Sequence, residues 1–337
     1  MVQEAHMKFR DNANIDSSQV DDQRSSGGGG DGSGGLGGLG GLGGSRRSGI
    51  PGGKAGGGLG AIILLLIALF AGKGVLGGGG GGNGGFQLPG VQSAQSQVGP
   101  GATGSAIVPS GDISTCKTGA DANNRQDCRI VAVVNDVNAF WAAELPRRGV
   151  EYTVARTQLF TGKTETGCGP ATAAVGPFYC PADQKAYLDL GFFKEFETKF
   201  GGQDTAFSEA YVIAHEYGHH IQNLLHISEK VQRSGNAEGP ESDSVKLELQ
   251  ADCFAGVWAF NAAKGPDPII QEITPTDISE GLDAASKVGD DYIQKRFQGR
   301  VTKENWTHGS SAQRQKWFTT GYTTGEVTDC DTFNTPI

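Results

Sequence analysis

The foldable part of this 337-residue chain, from about Thr115 to the end, contains no lysine- and arginine-rich run. The net charge is −9 and the calculated pI is about 5.2. Because proteins that bind nucleic acid concentrate positive charge on one face, we expect no nucleic-acid partner. The sequence also lacks any C-x-x-C pair, which argues against a zinc ribbon built from cysteines.

Long apolar runs are nearly absent as well. The densest run, Ala61 to Ala71, is shorter than the roughly 20 residues that a membrane-spanning helix needs. With its flanking glycines, the segment 56–76 reaches that length, and we predict a transmembrane anchor there. A signal-peptide core and a simple linker are the alternatives. Arg46, Arg47 and Lys54 precede the segment, so the positive-inside rule predicts an N-terminus in the cytoplasm and the rest of the chain outside.

Glycine, in contrast, is abundant, with 55 residues in the chain. About half of the residues from Gly27 to Gly85 are glycine, and such a stretch buries too little apolar surface to offset its ordering entropy. The sequence therefore predicts a disordered glycine-rich arm over 1–55, the anchor over 56–76, a glycine-rich linker over 77–114, and one folded domain over 115–337.

The cysteines agree with this topology. All six follow the apolar segment, and an even number confined to one part of the chain is typical of an oxidising compartment. Fifteen pairings are possible, and free buried thiols are the alternative. The expected pairs are Cys116–Cys128, Cys168–Cys180 and Cys253–Cys330.

Apolar periodicity in the folded domain predicts a few early strands followed by helices. Strands are expected at 151–162, in GPFYC and in KAYLDL, the last two as a hairpin. Helices are expected at 129–145, in GFFKEFETKFG, at 205–227, at 242–265, in TPTDISEGLDAASKVGDDYI and in HGSSAQRQKWFTTGY. Early strands followed by a run of helices are typical of the α+β class.

Three of the six histidines fall within AHEYGHHIQ, at positions 214–222. His215 and His219 are four residues apart, so on a helix both imidazoles project from one face and can bind one Zn²⁺. Glu216 cannot point at the same spot, but it can reach a water beside the metal and act as a general base. This H-E-x-x-H pattern is moderately specific when it stands alone. Gly218 weakens the same helix, and we expect another backbone to approach it closely.

A catalytic zinc site needs a third protein ligand. Leu225 excludes the version of the motif that has a third histidine ten residues after the first. A later helix offers Glu248 and Asp252 one turn apart, within KLELQADCFAG. We expect Glu248 to bind the metal and Asp252 to accept a hydrogen bond from the outer nitrogen of a ligand histidine. The alternative, two solvated surface carboxylates, fits poorly with the small apolar residues around them.

Two further side chains are candidates for stabilising an oxyanion. His308 lies just before a helix N-terminus, and a histidine on a loop can donate a hydrogen bond to a tetrahedral intermediate. A surface or capping role is the alternative. Tyr211 precedes His215 by one helical turn and is a weaker candidate, with a place in the core as the alternative. His220 and His226 are expected to be structural, because neither faces the predicted metal.

Four blocks, FYCPADQKAYLDLGFF, AHEYGHHIQ, LELQADCFAGVW and THGSSAQRQKWF, together resemble the bacterial neutral zinc metallopeptidase family. The resemblance also covers MKFRDNANIDSSQVDDQRS and the glycine-rich tether. It implies a single-pass membrane protein with a zincin-like fold, in which a strand above the active helix holds the substrate. By this likeness His215, His219 and Glu248 match the metal ligands, and Glu216 matches the catalytic base.

The primary hypothesis is therefore a membrane-anchored endopeptidase with one Zn²⁺ per chain, acting on peptides or proteins. KAYLDL is the candidate edge strand for pairing with substrate. The expected location is the bacterial plasma membrane, with the catalytic domain periplasmic or extracytoplasmic. The alternative is a non-catalytic envelope module that keeps zinc as a structural clip and binds peptides or partner proteins. In a third possibility, the motif is accidental and no metal binds.

Overall fold

A computed structural model describes residues 6–24 and 111–337. Within these residues the chain is mixed α+β and mostly helical. The helices are α1 (Gly119–Asn124), α2 (Gln126–Glu144), α3 (Gly191–Glu195), α4 (Ala206–Leu224), α5 (Ile227–Ser234), α6 (Asp243–Asn261), α7 (Pro275–Lys287), α8 (Asp290–Gln298) and α9 (Ser311–Thr324). The strands are β1 (Lys8–Phe9), β2 (Val20–Asp22), β3 (Arg156–Phe160), β4 (Lys163–Thr166), β5 (Gly169–Thr172), β6 (Phe178–Cys180), β7 (Lys185–Asp189) and β8 (Ile270–Glu272).

The main sheet has four strands in the order β2-β3-β7-β6. The first three strands are parallel, and β6 pairs antiparallel with β7 at one edge. β4 and β5 form a separate hairpin, and β1 pairs with β8. The expectation that KAYLDL is an edge strand is wrong, because β7 is paired on both sides. The edge strands are β2 and β6 instead.

Helices α2, α4, α6 and α9 build the core beside this sheet. α2 is apolar on all sides over Ile130–Val134, and these five residues are fully buried, as expected for a helix enclosed by other elements. α4 packs on α2 and on α6, and α6 packs on α9. The helix that contains the H-E-x-x-H pattern therefore lies in the middle of the molecule.

The first described residues belong to this same body. β1 pairs with β8, and β2 extends the main sheet by pairing with β3. Phe9, Ile15 and Val20 are buried in the core. The prediction of a disordered arm is therefore wrong for residues 6–24. Composition suggested disorder because the adjoining sequence is rich in glycine, whereas the arm is ordered by strand partners far away along the chain.

The predicted localisation also needs correction. No helix among residues 6–24 and 111–337 is long and apolar enough to cross a membrane. The sequence had suggested an arm and a domain on opposite sides of a single-pass span. They cannot lie so, because strand β2 of the arm and strand β3 of the domain belong to one sheet. The predicted anchor at 56–76 and most of the predicted linker lie outside the described residues.

The structure contains the three expected disulfides, Cys116–Cys128, Cys168–Cys180 and Cys253–Cys330. The last joins α6 to the C-terminal end of the chain and closes a loop with a sequence separation of 77. Such a link restricts the unfolded chain and holds the C-terminal segment against the helix that contains Glu248.

Most predicted elements appear, with shifted ends. The helix expected over 129–145 spans Gln126–Glu144, and the predicted hairpin is the β6–β7 pair. The segment from Thr274 onward forms two helices rather than one, α7 and α8. Gly289 separates them, and a Cβ there would lie 2.4 Å from the backbone nitrogen of Ser311. The break therefore allows α9 to begin close beside the junction.

Candidate metal centre

α4 begins at an N-cap, Thr205, whose hydroxyl accepts the backbone N–H of Ser208. Most of the helix is buried in the core, and His215 and His219 project from it next to each other. Their ring centroids are 4.8 Å apart. The spacing of four residues thus places both imidazoles at one spot, as the sequence indicated.

α6 brings a carboxylate to the same spot. Oε2 of Glu248 lies 3.2 Å from Nε2 of His215, and Oε1 lies 3.4 Å from Nε2 of His219. One ligand atom from each of the three residues lies within 4.8 Å of the others. Burial raises the pKa of Glu248, but the nearby His219, His308 and His215 outweigh it and hold the pKa well below the usual value.

The outer nitrogens of both histidines have partners of their own. Nδ1 of His215 is 2.9 Å from Oδ1 of Asp252, as the sequence predicted. Nδ1 of His219 is 2.8 Å from Oε1 of Gln222, whose amide donates to the backbone carbonyl of Leu247 at 2.6 Å. When Nδ1 donates to an oxygen in each ring, Nε2 of both rings can offer its lone pair to a metal ion bound beside Glu248.

Asp252 is the centre of a buried polar network. Arg314 of α9 donates two hydrogen bonds to its carboxylate, at 2.8 and 2.9 Å, and the hydroxyl of Tyr211 donates a third at 2.6 Å. Burial raises the pKa of Asp252, but the charges of Arg314 and His215 outweigh burial and lower that pKa to about 2. Asp252 is therefore ionised. The Tyr211 hydroxyl is bound to Asp252, which argues against the oxyanion role considered for it.

Glu216 is 9% exposed and lines the cavity that also contains His215, His219 and Glu248. No hydrogen bond or ion pair from residues 6–24 or 111–337 engages its carboxylate. Burial raises its pKa, against the opposing effect of the two histidines. A carboxylate with a raised pKa and no partner inside a cavity is suited to accept a proton from a molecule bound there.

His308 reaches the same cavity from the loop before α9. Oδ2 of Asp290 fixes this loop by accepting the backbone N–H groups of Thr307, His308 and Gly309, at 2.8, 2.7 and 3.0 Å. Nδ1 of His308 is 2.8 Å from the Thr307 hydroxyl. Burial lowers the His308 pKa, but the charges of Glu248 and Asp290 raise it overall. The ring is therefore held with its other nitrogen available to the cavity.

The two histidines expected to be structural lie away from the centre. His220 is fully buried, with Nδ1 2.9 Å from the Tyr179 hydroxyl of β6 and Nε2 2.7 Å from the backbone carbonyl of Thr153. It therefore ties α4 to the edge strand. His226 is exposed in a left-handed conformation at the start of α5.

Sequence reasoning did not assign Gln222, Asp290 or Arg314. Gln222 follows His219 by three residues, so the helical repeat alone places them together. Arg314 and Asp290 come from helices that are far from the motif along the chain, and no local pattern points to them. Their positions depend on how α8 and α9 pack.

Gly218 lies where α4 and α6 meet. A Cβ at this position would lie 2.9 Å from the Cα and 3.0 Å from the carbonyl oxygen of Ala251. The expected close approach of another backbone is therefore present. It allows Glu248, three residues before Ala251, to reach the histidines of the neighbouring helix.

The donor set fits zinc. Two Nε2 atoms and one carboxylate, with their outer partners satisfied, match the three protein ligands of a hydrolytic zinc site, where a fourth position stays open. Within the described residues, the fold and the site therefore define a mixed α+β protein with a cluster of three donors, His215, His219 and Glu248, that could hold a metal ion. The chain belongs to the family described as "Putative neutral zinc metallopeptidase", which matches residues 7–333.

Curated relatives cover most of the chain. An uncharacterized protein of Mycobacterium tuberculosis, Rv2575, is 49% identical over 233 residues, which are 68% of this chain and 78% of that protein. The uncharacterized protein YpfJ of Escherichia coli K12 is 38% identical over 242 residues, 67% of this chain and 82% of that protein. No solved structure matches significantly.

Proposed function

We propose that the protein is a zinc-dependent endopeptidase. The observation that supports this most directly is the unpartnered carboxylate of Glu216 beside three converging donors, His215, His219 and Glu248. These three residues would hold one Zn²⁺. The bound ion would supply Lewis acidity, which lowers the pKa of water and polarises a carbonyl group.

The remaining roles belong to side chains of this protein. Glu216 accepts the proton of the attacking water and passes it to the departing amine. His308 donates from its free nitrogen to the oxyanion that develops on the scissile carbonyl. Asp252 and Gln222 keep His215 and His219 in the tautomer that leaves Nε2 unprotonated.

The edge of the sheet supports a peptide substrate. β6 leaves one side unpaired within the described residues, and 173–177, directly before it, line the cavity with the metal ligands. An extended peptide can add to such an edge through main-chain hydrogen bonds. A mixed sheet whose antiparallel edge strand runs beside the H-E-x-x-H helix also suits a zincin-like fold.

The rival function is a zinc-stabilised binding module without catalysis. A structural zinc site is normally closed by four protein ligands, whereas the cluster found among the described residues has three. The presence of Glu216 beside a site with an open position favours catalysis.

Removal and return of the metal test this proposal. The protein would be stripped with a chelator, titrated with zinc, and assayed at each point by mass spectrometry of a mixed peptide library. We expect cleavage to be lost with the metal and restored by about one equivalent. A restored metal content and melting temperature without cleavage of any peptide would favour the binding module.

A further inference from the structure

The cavity that contains the metal ligands has an apolar part that the proposed chemistry does not use. The whole cavity has a volume of about 430 Å³. His215, Glu216, Glu248 and His308 line its polar part. Its lining also includes the charged side chains of Glu195 and Lys199 and the apolar side chains that we take together as its apolar part, namely Phe192, Phe200, Val212, Val288, Ile293 and Phe297.

Direct contacts fix the outer wall of this apolar part. The rings of Phe200 and Phe297 meet edge to face with centroids 5.3 Å apart. Behind them, the hydroxyl of Tyr292 donates to the backbone carbonyl of Phe200 at 2.6 Å, and Nε of Arg296 donates to that of Lys199 at 2.5 Å. α8 is thereby attached to the segment after α3, so the wall is built before any ligand arrives.

The inner end of the apolar part lies beside Glu216. Val212 precedes Glu216 by one turn of α4, so both side chains project from the same face. Val288 lines the same cavity, and its backbone carbonyl accepts a hydrogen bond from Arg314 at 3.3 Å. The apolar surface therefore starts at the proton acceptor and runs outward to Phe297, which is 43% exposed.

We propose that this apolar part is the specificity pocket and binds a bulky apolar side chain, aromatic or branched aliphatic, of the residue whose amine departs. This inference rests on the proposed endopeptidase function. Glu216 delivers a proton to the departing nitrogen and must lie within hydrogen-bonding distance of it. The side chain on the carbon bonded to that nitrogen is then the one nearest Val212.

Matched peptides test the preference. One set would carry Phe, Leu, Ala or Asp on the amine side of the bond, with all other positions constant. A second set would carry the same four residues on the carbonyl side. We expect kcat/KM to fall at least about tenfold from Phe or Leu to Ala on the amine side, and further for Asp. In the second set, kcat/KM should differ less among the four residues.

Two variants connect the preference to this pocket. Val212→Phe fills the inner end and should shift the preference toward Ala, whereas Val154→Phe, at a position 50% exposed and outside this cavity, should not. Phe297→Ala removes a ring that is 43% exposed, and should weaken the preference for Phe. Phe297→Ala still tests the pocket if the Val212→Phe protein does not fold.

Binding without catalysis separates the pocket from the chemistry. Zinc-loaded Glu216→Gln protein would be titrated with the same labelled peptides by fluorescence anisotropy, and should bind the Phe peptide at least about tenfold more tightly than the Asp peptide. Cleavage without any side-chain preference would overturn the pocket and leave the peptidase in place. Failure to cleave any peptide would overturn both.

Discussion

Single side chains outside the motif set the tautomer and the ring orientation of His215 and His219. Nδ1 of His219 is engaged by Gln222, and Nδ1 of His215 is engaged by Asp252, which Arg314 in turn holds. A histidine whose outer nitrogen donates to a fixed oxygen is held in one ring orientation and is a stronger donor through the other nitrogen. The five-residue motif therefore depends on residues that it does not contain.

Gln222→Leu removes the acceptor for His219 and keeps a similar volume. We expect zinc affinity to fall about 10- to 100-fold, because the ring loses the contact that fixes its tautomer and orientation. Competition with a chromophoric chelator would measure the change. Gln232→Leu, at an exposed position of α5, is the matched control. Equal affinities in the two variants would contradict the role of Gln222.

Asp136 is a buried acid of α2 that belongs to none of the clusters of possible metal ligands among the described residues. Burial raises its pKa to about 7, against the hydrogen bond from the Trp258 indole, which is 2.8 Å long and lowers it. The pKa of Asp136 is therefore higher in the folded state than its unfolded value of 3.8. The contribution of this group to stability is complete below pH 3.8 and is lost as the pH rises toward 7.

Asp136→Asn keeps an oxygen that can accept the Trp258 indole N–H but cannot ionise. The free energy of unfolding of the variant, relative to the parent, should therefore rise by on the order of a few kcal/mol between pH 4 and pH 8. Urea unfolding at several pH values would measure it. A difference that stays constant across this range would show that Asp136 does not titrate in it.

At the scale of the elements, the close contact of α4 with α6 brings Glu248 to the two histidines of the H-E-x-x-H motif. Glu248 reaches the histidines only because Gly218 has no side chain where Ala251 of α6 passes. The sequence indicated both the glycine and the carboxylate, since each stands out locally. It did not indicate Arg314, because α9 reaches the site through the tertiary fold alone.

Gly218→Ala tests this contact. Alanine favours a helix by about 1 kcal/mol over glycine. The added methyl group would meet backbone atoms of Ala251 at 2.9 and 3.0 Å, and crowding of this kind costs about 1–3 kcal/mol. We therefore expect a net loss of stability and weaker zinc binding, measured by thermal unfolding with and without zinc. An unchanged melting temperature and zinc affinity would show that the helices can separate freely.

The order of the strands was harder to predict from the sequence than the positions of the helices. β6 and β7 were both expected from their composition, but which of them forms the edge depends on β3, about 30 residues earlier in the chain. β2 was missed altogether, since three residues within a polar stretch give no periodic pattern. Local sequence therefore predicted the helices that hold the ligands better than the sheet that frames them.

At the scale of the whole molecule, the facing ends of the two described parts of the chain, residues 24 and 111, lie next to each other. Nη2 of Arg24 donates to the backbone carbonyl of Gly111 at 2.8 Å, and the Gly111 nitrogen donates to Asp127 at 2.8 Å. This place lies beside β2, which is separated from β6 by two strands, a distance of roughly 14 Å across the sheet. Arg24 and Gly111 therefore lie on the side of the sheet away from β6.

Replacement of residues 25–110 by a few glycines should leave the folded body intact. We expect the shortened protein to keep its melting temperature within a few degrees and its zinc content unchanged. Further deletion of residues 6–24 removes β2 and several buried apolar side chains, each worth about 1.5–3 kcal/mol. That second protein should be destabilised by on the order of 5 kcal/mol in urea unfolding. Equal stability of the two would contradict the place of the arm in the core.

The central claim is that Glu216 is the proton acceptor of a zinc-dependent peptidase, and one comparison tests it most directly. Zinc content and the rate of peptide cleavage would be measured for the parent and for Glu216→Gln, both loaded with one equivalent of zinc. We predict equal zinc content and a rate at least about 100-fold lower in the variant, since the amide cannot accept the proton. A zinc-loaded variant that cleaves as fast as the parent would contradict the account.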